Sequence, residues 1–346
     1  MFEAIVTLCA SLEAGPCRDH LLPGYEAAEA AVCAAQLAET PPRTALAGLV
    51  SKGAPRCVPV GPALAMTEVA AGVFVHRGAI AEPDMDNRGD VSNLGFVIGE
   101  TSVAVIDSGT ARWMGEGTWR AIRAETDKPV SHVILTHMHP DHVFGASVFT
   151  DAGALALGHA DLPRALIDRQ ANYLESLGRL MGAETMIGTE VIRLDQFVEG
   201  TAEIDLGGRV LQLETWPTAH TGTDLTVFDA GSGVLFAGDL VFDQHTPALD
   251  GSLLGWRAVM AELAEREVAG VVPGHGGPLL DWPVGAADMI RYLAVLEQDT
   301  RQALDAGARL GAAVETIAQE EAVHWELFDA YNPRNATVAF TELEWE

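Results

Sequence analysis

The sequence predicts an α/β fold in which strands and helices alternate around mixed sheets. From Thr67 onward, short β-rich runs separated by turns alternate with helical stretches, and residues with metal-ligand chemistry recur where predicted strands end. The chain has 346 residues and 48% hydrophobic content, which is enough for a sizeable core. A globular α/β protein therefore follows from length, composition and pattern.

The first sixty residues have a different pattern from the rest. An apolar, strand-like opening from Phe2 to Leu8 is followed by a turn near Gly15 and by an Ala-rich helix from about Tyr25 to Glu39. The Pro- and Gly-rich stretch from Pro55 to Pro62 is typical of a linker. We therefore predict a small N-terminal unit over residues 1–60 and a larger domain over residues 61–346, which ends in a helical extension.

The larger domain contains a series of short predicted strands with helices between them. The predicted strands are Val73–Val75, Leu94–Ile98, Ser102–Ile106, Val133–Leu135, Ala154–Leu157, Arg209–Leu213, Leu225–Phe228, Val234–Ala237 and Gly270–Val272. The predicted helices are Trp119–Glu125, Val143–Phe149, Leu162–Met181 and Trp256–Arg266, and helices continue to about Gln319.

All four cysteines, Cys9, Cys17, Cys33 and Cys57, lie in the N-terminal unit. An even, clustered set in a short segment indicates two disulfides, with three pairings open, and hence an oxidising compartment. The alternative is four reduced, buried thiols in a cytosolic protein. A zinc knuckle is disfavoured because no two cysteines are separated by only two residues.

The charge is strongly acidic, with 49 Asp and Glu against 21 Lys and Arg and a net charge of −28. Such a surface repels nucleic acid and anionic lipid, so we expect a small-molecule substrate and no nucleic-acid partner. No apolar stretch approaches the roughly 20 residues that span a bilayer, so no membrane insertion is expected. The opening residues lack the pattern of a signal peptide, so export would require a signal absent from this sequence.

The most informative motif is the run from His137 to His142, which places three histidines and one aspartate within six residues after a predicted strand. Alternate residues of an extended segment share a side, so His137 and His139 can hold one cation. Asp141 and His142, carried around the following turn, can hold a second cation. One short loop thus supplies half of a two-metal site.

Three more potential ligands, His220, Asp239 and His275, each follow a predicted strand. Ligands at the ends of successive strands converge on one edge of a sheet, where the scaffold fixes their geometry. The remaining histidines are interpreted as surface or capping residues; they are His20, His76, His132, His159, His245 and His324. Neighbouring glycines, among them Gly222, Gly238 and Gly274, would let the backbone approach the metals closely.

The motif from Thr136 to His142, with His220, Asp239 and His275 downstream in order, resembles the metallo-β-lactamase superfamily over about residues 67–285. The resemblance implies an αββα sandwich with two metals at one edge. It assigns His137, His139 and His220 to one metal, and Asp141, His142 and His275 to the other, with Asp239 bridging them. Asp107 matches a position that supports the metal loop, although a simple turn-forming role is the alternative.

The resemblance implies a metal-dependent hydrolase. Two divalent ions lower the pKa of a bridging water from about 15.7 towards 7, and the resulting hydroxide attacks an ester, thioester, lactone or amide carbonyl. Asp141 is placed to relay the proton as well as to bind metal. Two Zn²⁺ are expected, because imidazole and carboxylate suit zinc; iron or manganese fits the same donors.

A narrower resemblance involves both ends of the chain. The segments Cys17–Asp19, Leu22–Tyr25, Asn332–Asn335 and Glu342–Trp345 are similar to those of zinc metallohydrolases associated with periplasmic quinoprotein-relay and sulfur-oxidation gene clusters. This similarity implies a periplasmic protein with redox-relay partners; a cytoplasmic location is the alternative.

Two other functions stay open from the sequence. An iron-dependent persulfide dioxygenase has a similar motif but a single iron, and a metal-stabilised accessory protein of a redox relay would need no turnover. Candidate walls of a substrate pocket are the segment from Ala81 to Asn93, Trp113–Met114, the helix around Tyr173 and the segment from Asp243 to Trp256. Arg88 and Arg112 are the arginines expected to be nearest to an anionic substrate.

Overall fold

A computed structural model describes residues 1–11, 13, 15–42 and 48–346. The chain begins with a four-stranded antiparallel sheet in which β1 pairs with the three other strands. Its elements are β1 (Phe2–Cys9), β2 (Cys17–Ala27), α1 (Ala30–Glu39), β3 (Val50–Ser51) and β4 (Arg56–Pro59).

Two predictions for this N-terminal sheet were wrong at their boundaries. The predicted helix from Tyr25 begins only at Ala30, because β2 stays paired with β1 as far as Ala27, opposite Phe2. The predicted linker from Pro55 to Pro62 contains β4, whose Cys57 lies opposite Ala4 of β1. In both places, strand pairing with β1 overrides the local sequence preference.

The second sheet has seven strands in the order β11-β10-β9-β8-β7-β6-β5. Strands β8, β9, β10 and β11 run parallel, whereas β5 to β8 form an antiparallel meander. Its elements and the associated helices are β5 (Thr67–Ala70), β6 (Val73–His76), β7 (Leu94–Ile98), β8 (Val103–Ile106), α2 (Arg112–Glu125), β9 (Val130–Leu135), α3 (Pro140–Val143), α4 (Ser147–Asp151), β10 (Leu155–His159), α5 (Leu162–Met181) and β11 (Gln196–Val198).

The third sheet has five strands in sequence order, β12 to β16, with the last pair parallel. Its elements and the helices that follow are β12 (Thr201–Asp205), β13 (Val210–Thr215), β14 (Leu225–Asp229), β15 (Val234–Phe242), α6 (Leu253–Ala264), β16 (Gly270–His275), a 3-10 turn (Val284–Ala286), α7 (Ala287–Asp305), α8 (Leu310–Val314), a second 3-10 turn (Gln319–Val323) and α9 (Phe328–Leu343).

The second and third sheets pack face to face, and helices cover their outer faces. Side chains of both sheets, such as Ile134 and Phe236, form the central core. Trp119 of α2 and Leu166 of α5 pack on the outer face of the second sheet, and Trp256 of α6 packs on that of the third. The predicted αββα sandwich, with two disulfides in the N-terminal region, is confirmed.

The disulfides join Cys9 to Cys17 and Cys33 to Cys57. The first closes the β1–β2 hairpin, where the two cysteines lie opposite each other. The second ties α1 to β4, and Cys33 is fully buried in the core of the N-terminal sheet. Of the three pairings that the sequence left open, the structure thus selects the one between neighbouring elements.

The N-terminal sheet is attached to α2 by buried ion pairs. Arg18 contacts the carboxylate of Glu116, and Arg120 donates to both oxygens of Glu3 at 2.8 Å. Each of these carboxylates is about 3% exposed or less, so neither pair is a solvent-screened surface contact. The sheet therefore packs on the outer helical layer of the sandwich.

Other boundaries differ from the sequence prediction in ways that affect the site. Helix α2 begins at Arg112 rather than Trp119, and the predicted helix from Val143 to Phe149 is divided into α3 and α4. Strand β15 continues to Phe242 through Asp239, which was expected in a loop. Helix α9 lies beyond the last predicted helix. Among the helices of the described residues, none is long and apolar enough to cross a bilayer.

Candidate metal centre

Ligand-type side chains meet at one edge of the sandwich. His137 and His139 follow β9, His220 lies between β13 and β14, and Asp239 is carried by β15. One nitrogen or oxygen atom from each of these four residues lies within 4.8 Å of the others. The structure thus brings together residues separated by about a hundred positions in the sequence.

A second group forms beside the first. Asp141 and His142 lie in α3, and His275 is the last residue of β16; their ligand atoms also lie within 4.8 Å of one another. The two groups divide the seven predicted residues as the sequence resemblance implied, with Asp239 counted in the first.

Asp239 lies between the two groups. Its Oδ2 is 3.6 Å from Nε2 of His137 and 3.6 Å from Nε2 of His220, and 3.5 Å from Nε2 of His275. Its Oδ1 is 3.1 Å from Nε2 of His142. One carboxylate therefore faces imidazoles of both groups, which is the arrangement expected of a bridging ligand.

The potential ligand atoms that point into this space make no hydrogen bond within the described part of the chain. Nε2 of His137, His142 and His220 and Oδ1 of Asp239 are buried and lack a hydrogen bond to any described residue. Buried polar atoms are normally satisfied, because an unpaired one costs about 1–3 kcal/mol. Imidazole nitrogens and carboxylate oxygens are the donors that Zn²⁺ and similar cations prefer. The residues present therefore fit two divalent cations.

The opposite ring nitrogens are held by acceptors that fix the rings. Nδ1 of His142 donates to Asp107 at 2.8 Å, and the carboxylate of Asp107 also accepts from the backbone amide and hydroxyl of Thr136 at 2.8 Å. Asp107 has φ +58°, which aspartate tolerates at a strand-ending turn. Asp107 therefore ends its strand in a turn and also holds the ring of His142, a residue predicted to bind metal.

The other imidazoles are oriented in the same way by groups that the sequence analysis missed. Nδ1 of His220 lies 3.3 Å from Asp224, Nε2 of His139 lies 3.2 Å from Asp250, and Nδ1 of His275 donates to the carbonyl of Val91 at 2.8 Å. Asp224 follows His220 by only four residues, so its spacing offered a local signal. Asp250 and Val91 reach the site only through the tertiary fold.

The electrostatics of the centre keep both carboxyls ionised. Burial raises the pKa of Asp239, but the surrounding imidazoles, that of His142 foremost, outweigh it and hold the pKa well below its usual range. Burial likewise opposes ionisation of Asp141, and His142 and His275 again lower its pKa. Burial holds the pKa of His137 well below that of a free imidazole. The centre therefore has two carboxylates and a neutral imidazole available to bind cations.

A cavity of about 440 Å³ opens above these residues. Of the walls predicted from the sequence, the Ala81–Asn93 segment contributes Ala81, Pro83 and Val91; helix α5 contributes Arg169, Tyr173 and Leu177; and the segment from Asp243 contributes His245, Ala248, Leu249 and Asp250. The prediction for Trp113–Met114 was wrong, since neither residue lines the cavity and Met114 is fully buried. Helix α9, which was not predicted, forms a further wall through Tyr331, Arg334, Asn335 and Val338.

The two arginines suggested from the sequence lie away from the cavity. Arg112 is fully buried and pairs with Asp151 at 2.8 Å, and the guanidinium of Arg88 lies 4.6 Å from the ring centre of Trp113. The arginines that line the cavity are Arg169 and Arg334. The surface or capping interpretation was also wrong for three histidines that are buried, namely His20, His76 and His245.

The family model of the metallo-beta-lactamase superfamily matches residues 87–275, which is more than half of the chain. A Beta-lactamase-like protein 2 homolog of Caenorhabditis elegans is 22% identical over 169 residues, and the match covers 49% of this chain and 50% of that protein. The chain thus spans about half the length of this curated relative.

Solved structures share the fold. A metallo-beta-lactamase from Pontibacter korlensis has a TM-score of 0.53 at 20% identity, over 67% of this chain and 99% of the other. The stereoselective inverting sec-alkylsulfatase Pisa1 from Pseudomonas sp. has a TM-score of 0.62 at 14% identity, over 80% of this chain and 49% of the other.

Proposed function

Because the chain belongs to the metallo-beta-lactamase superfamily, we propose that it is a dinuclear metal-dependent hydrolase that cleaves an ester, thioester, lactone or amide. The superfamily and its structural neighbours make a metal-dependent hydrolase the enzyme class of this fold. One observation supports the proposal of two metals: buried nitrogen atoms of histidines lie on both sides of Asp239 and make no hydrogen bond within the described residues.

In this proposal, His137, His139 and His220 hold one cation, Asp141, His142 and His275 hold the second, and Asp239 contacts both. Divalent cations held by such donors supply Lewis acidity and an activated water nucleophile at neutral pH. Zn²⁺ is the proposed metal, because three imidazoles with a carboxylate suit it and no redox chemistry is required. Iron or manganese fits the same donors.

The protein's own residues supply orientation and proton transfer. Asp107, Asp224 and Asp250 hold three of the imidazoles in place, which keeps the ligand geometry fixed while substrate binds. Asp141 is 16% exposed and lines the cavity, whereas Asp239 is 3% exposed. We propose that Asp141 accepts and passes on the proton of the nucleophile, because it is more exposed than Asp239, and because Asp250, which also lines the cavity, is paired with Arg169.

The proton role of Asp141 can be tested with the Asp141→Ala variant. Turnover should fall sharply in protein that still contains both metals, since the remaining residues can hold the cations. Of the other carboxylates at the cavity, Asp239 is buried and Asp250 is paired with Arg169 and His139. Steady-state kinetics together with metal analysis of the same preparation check this. Full activity with both metals bound would exclude the proton role.

The cellular setting is also a proposal. Two disulfides favour an oxidising compartment, and we propose an exported, periplasmic protein that works beside a quinoprotein relay. We further propose that residues 1–60 form a small unit attached to a catalytic domain over residues 61–346. Loss of the protein from a periplasmic extract, with recovery only in the cytoplasm, would contradict the location.

The experiment that tests the function is a hydrolysis screen on the full chain with measured metal content. The panel contains lactones, thioesters, nitrocefin and, because one structural neighbour is an alkylsulfatase, secondary alkyl sulfates. We expect turnover of at least one class that is abolished by chelation and restored by Zn²⁺. Oxygen consumption with a persulfide and one bound iron would instead favour the dioxygenase function. Full metal loading without any turnover would favour an accessory protein.

A further inference from the structure

The cavity above the metal centre has a mainly apolar lining and is large enough for a small organic molecule. Its volume is about 440 Å³, within the range of roughly 300–1,000 Å³ typical of ligand sites. Apolar side chains come from four separate segments and include Pro83, Val91, Leu177, Phe242, Leu249 and Val338. A ligand with an apolar body can therefore pack against several walls at once.

One of the two arginines in this cavity is neutralised. Arg169 of α5 contacts the carboxylate of Asp250 with both terminal nitrogens. The same carboxylate lies 3.2 Å from Nε2 of His139. The charge of Arg169 is thus balanced within the protein by Asp250. Arg169 holds this aspartate beside His139, a candidate metal ligand.

The other arginine has no such partner. Arg334 of α9 is exposed and lines the cavity, and within the described part of the chain no carboxylate lies within ion-pair distance of its guanidinium. The guanidinium lies 5.4 Å from the ring centre of Tyr331, a distance at which the face of the ring attracts the cation. In a chain with a net charge of −28, Arg334 therefore places a positive charge on the cavity wall without a carboxylate partner among the described residues.

A short series of rings connects this arginine to the metal centre. The ring of Tyr331 lies 4.6 Å from that of His245, which in turn lies 4.8 Å from that of His275. All three rings line the same cavity. A molecule whose reacting group lies beside His275 would therefore pass the rings of His245 and Tyr331 to reach the guanidinium of Arg334.

We propose that the substrate is a small amphiphile with a carboxylate at one end, which Arg334 binds while the apolar body packs in the cavity and the scissile bond lies beside the metal ligands. The planar guanidinium presents paired N–H donors that match a carboxylate. This inference rests on the proposed hydrolase function, and it makes Arg334 a specificity-determining residue.

The kinetic test compares two esters of similar length on the metal-loaded full chain: 4-nitrophenyl butyrate, which is neutral, and mono-4-nitrophenyl glutarate, which ends in a carboxylate. We expect the wild type to prefer the glutarate ester. Arg334→Gln should lower kcat/KM for that ester by about 10-fold to 100-fold, mainly through KM, because a charge-assisted hydrogen bond is lost. For the butyrate ester, the change should stay within about twofold. Arg334→Lys should retain part of the preference.

The matched control is Arg164→Gln, which removes an exposed arginine from α5 outside the cavity. This variant should behave as the wild type with both esters. If Arg164→Gln lowers the glutarate preference as much as Arg334→Gln does, the effect is one of overall charge and the inference is wrong.

A binding measurement separates this inference from the proposed function. Isothermal titration of the metal-loaded protein with hexanoate and with 1-hexanol should show tighter binding of hexanoate. Arg334→Gln should reduce the difference, and the part that remains is due to binding of the carboxylate by the metals. If neither ester is hydrolysed but hexanoate binding still depends on Arg334, the anion site stands and the hydrolase proposal fails for these esters. If esters are hydrolysed but Arg334→Gln binds and cleaves the anionic ligands like the wild type, the inference is overturned.

Discussion

The carboxylate of Asp239 can reach both groups of imidazoles because the chain beside it has no side chain. A Cβ atom at Gly274 would lie 1.8 Å from Oδ1 of Asp239, far below any van der Waals contact. Gly238 has φ +52°, and a Cβ there would lie 2.7 Å from the hydroxyl of Thr136. At Gly222, for which the sequence suggested the same need, a Cβ would lie 3.9 Å from the hydroxyl of Thr218, which is an ordinary contact distance. The need for glycine is therefore specific to individual positions.

Gly274→Ala should displace the Asp239 carboxylate and weaken metal binding by at least about 10-fold, the effect of disturbing a ligand's support. Gly222→Ala should leave the affinity for metal close to that of the wild type, because the added methyl group would lie 3.9 Å from the hydroxyl of Thr218, an ordinary contact distance. Competition titration with a chromophoric chelator measures both affinities. Equal affinities for the two variants would show that the carboxylate has room to move.

The buried histidine His20 makes the stability of the protein depend on pH. It is 3% exposed and lies beside two arginines. Burial lowers its pKa, and the charges of Arg112 and Arg18 lower it further, to about 2. The imidazole is therefore neutral in the folded protein, whereas in the unfolded chain it binds a proton below about pH 6.5. The unfolded state then holds one more proton, so stability falls as the pH falls below that value.

His20→Leu should make the acid side of the stability curve shallower, by up to about 1.4 kcal/mol per pH unit between pH 6.5 and the pH at which other groups unfold the protein. Denaturant unfolding at a series of pH values, with His324→Gln as an exposed control, gives the difference in slope. Identical slopes for the wild type and His20→Leu would mean that His20 becomes protonated within the folded state.

Helix α9, which lines the cavity, contacts the segment before Asp250 through a buried amide, that of Asn335. Nδ2 of Asn335 donates to the carbonyl of Pro247 at 2.6 Å and to the hydroxyl of Tyr292 at 2.8 Å. Its Oδ1 accepts from the backbone amide of Leu249 at 2.9 Å. The next residue is Asp250, which orients His139, so α9 supports the metal centre through one loop.

Asn335→Ala should lower the free energy of unfolding by about 1–3 kcal/mol for each polar group left buried without a partner, and should weaken metal binding through the freed Asp250 loop. Thr337→Ala on the exposed face of the same helix removes only a hydroxyl that bonds to the carbonyl of Pro333 and should change stability little. Denaturant unfolding and metal titration measure both effects. If Asn335→Ala lowers stability but leaves the metal affinity unchanged, α9 does not support the metal centre.

The N-terminal sheet packs on the outer helical layer, away from the cavity, and stabilises the fold. It packs on α2 through Arg18–Glu116 and Glu3–Arg120. In the described part of residues 1–60, no side chain lines the cavity above the metal centre. The effects of its disulfides on stability and on metal binding should therefore be separable.

Removal of the Cys33–Cys57 disulfide by a double serine substitution should destabilise the protein by about 3.5 kcal/mol, and removal of Cys9–Cys17 by about 2.5 kcal/mol, because the longer cross-linked loop restricts the unfolded chain more. Thermal unfolding ranks the two variants. Metal affinity below the unfolding transition should stay within about twofold of the wild type. A parallel loss of metal would show that the N-terminal sheet supports the centre after all.

The α/β class and the seven ligand-type residues could be predicted from the sequence, because their chemistry and spacing are local properties of strand ends. The same local signals misjudged Tyr25 and Arg56, whose conformation depends on pairing with β1. They gave no sign that Asp250, which lies in a segment predicted to line the pocket, holds the ring of His139, or that Arg334 and Asn335 line the cavity.

Three features could be read from the tertiary structure but not from the sequence. They are the side chains that hold the imidazoles, the pairing of the disulfides, and the cavity arginine that has no carboxylate partner among the described residues. These properties depend on contacts between segments that are distant in sequence, such as Asp250 with His139 across 111 positions. Such contacts are fixed by the packing of helices and sheets, whereas the metal motif is fixed by the order of a few neighbouring residues.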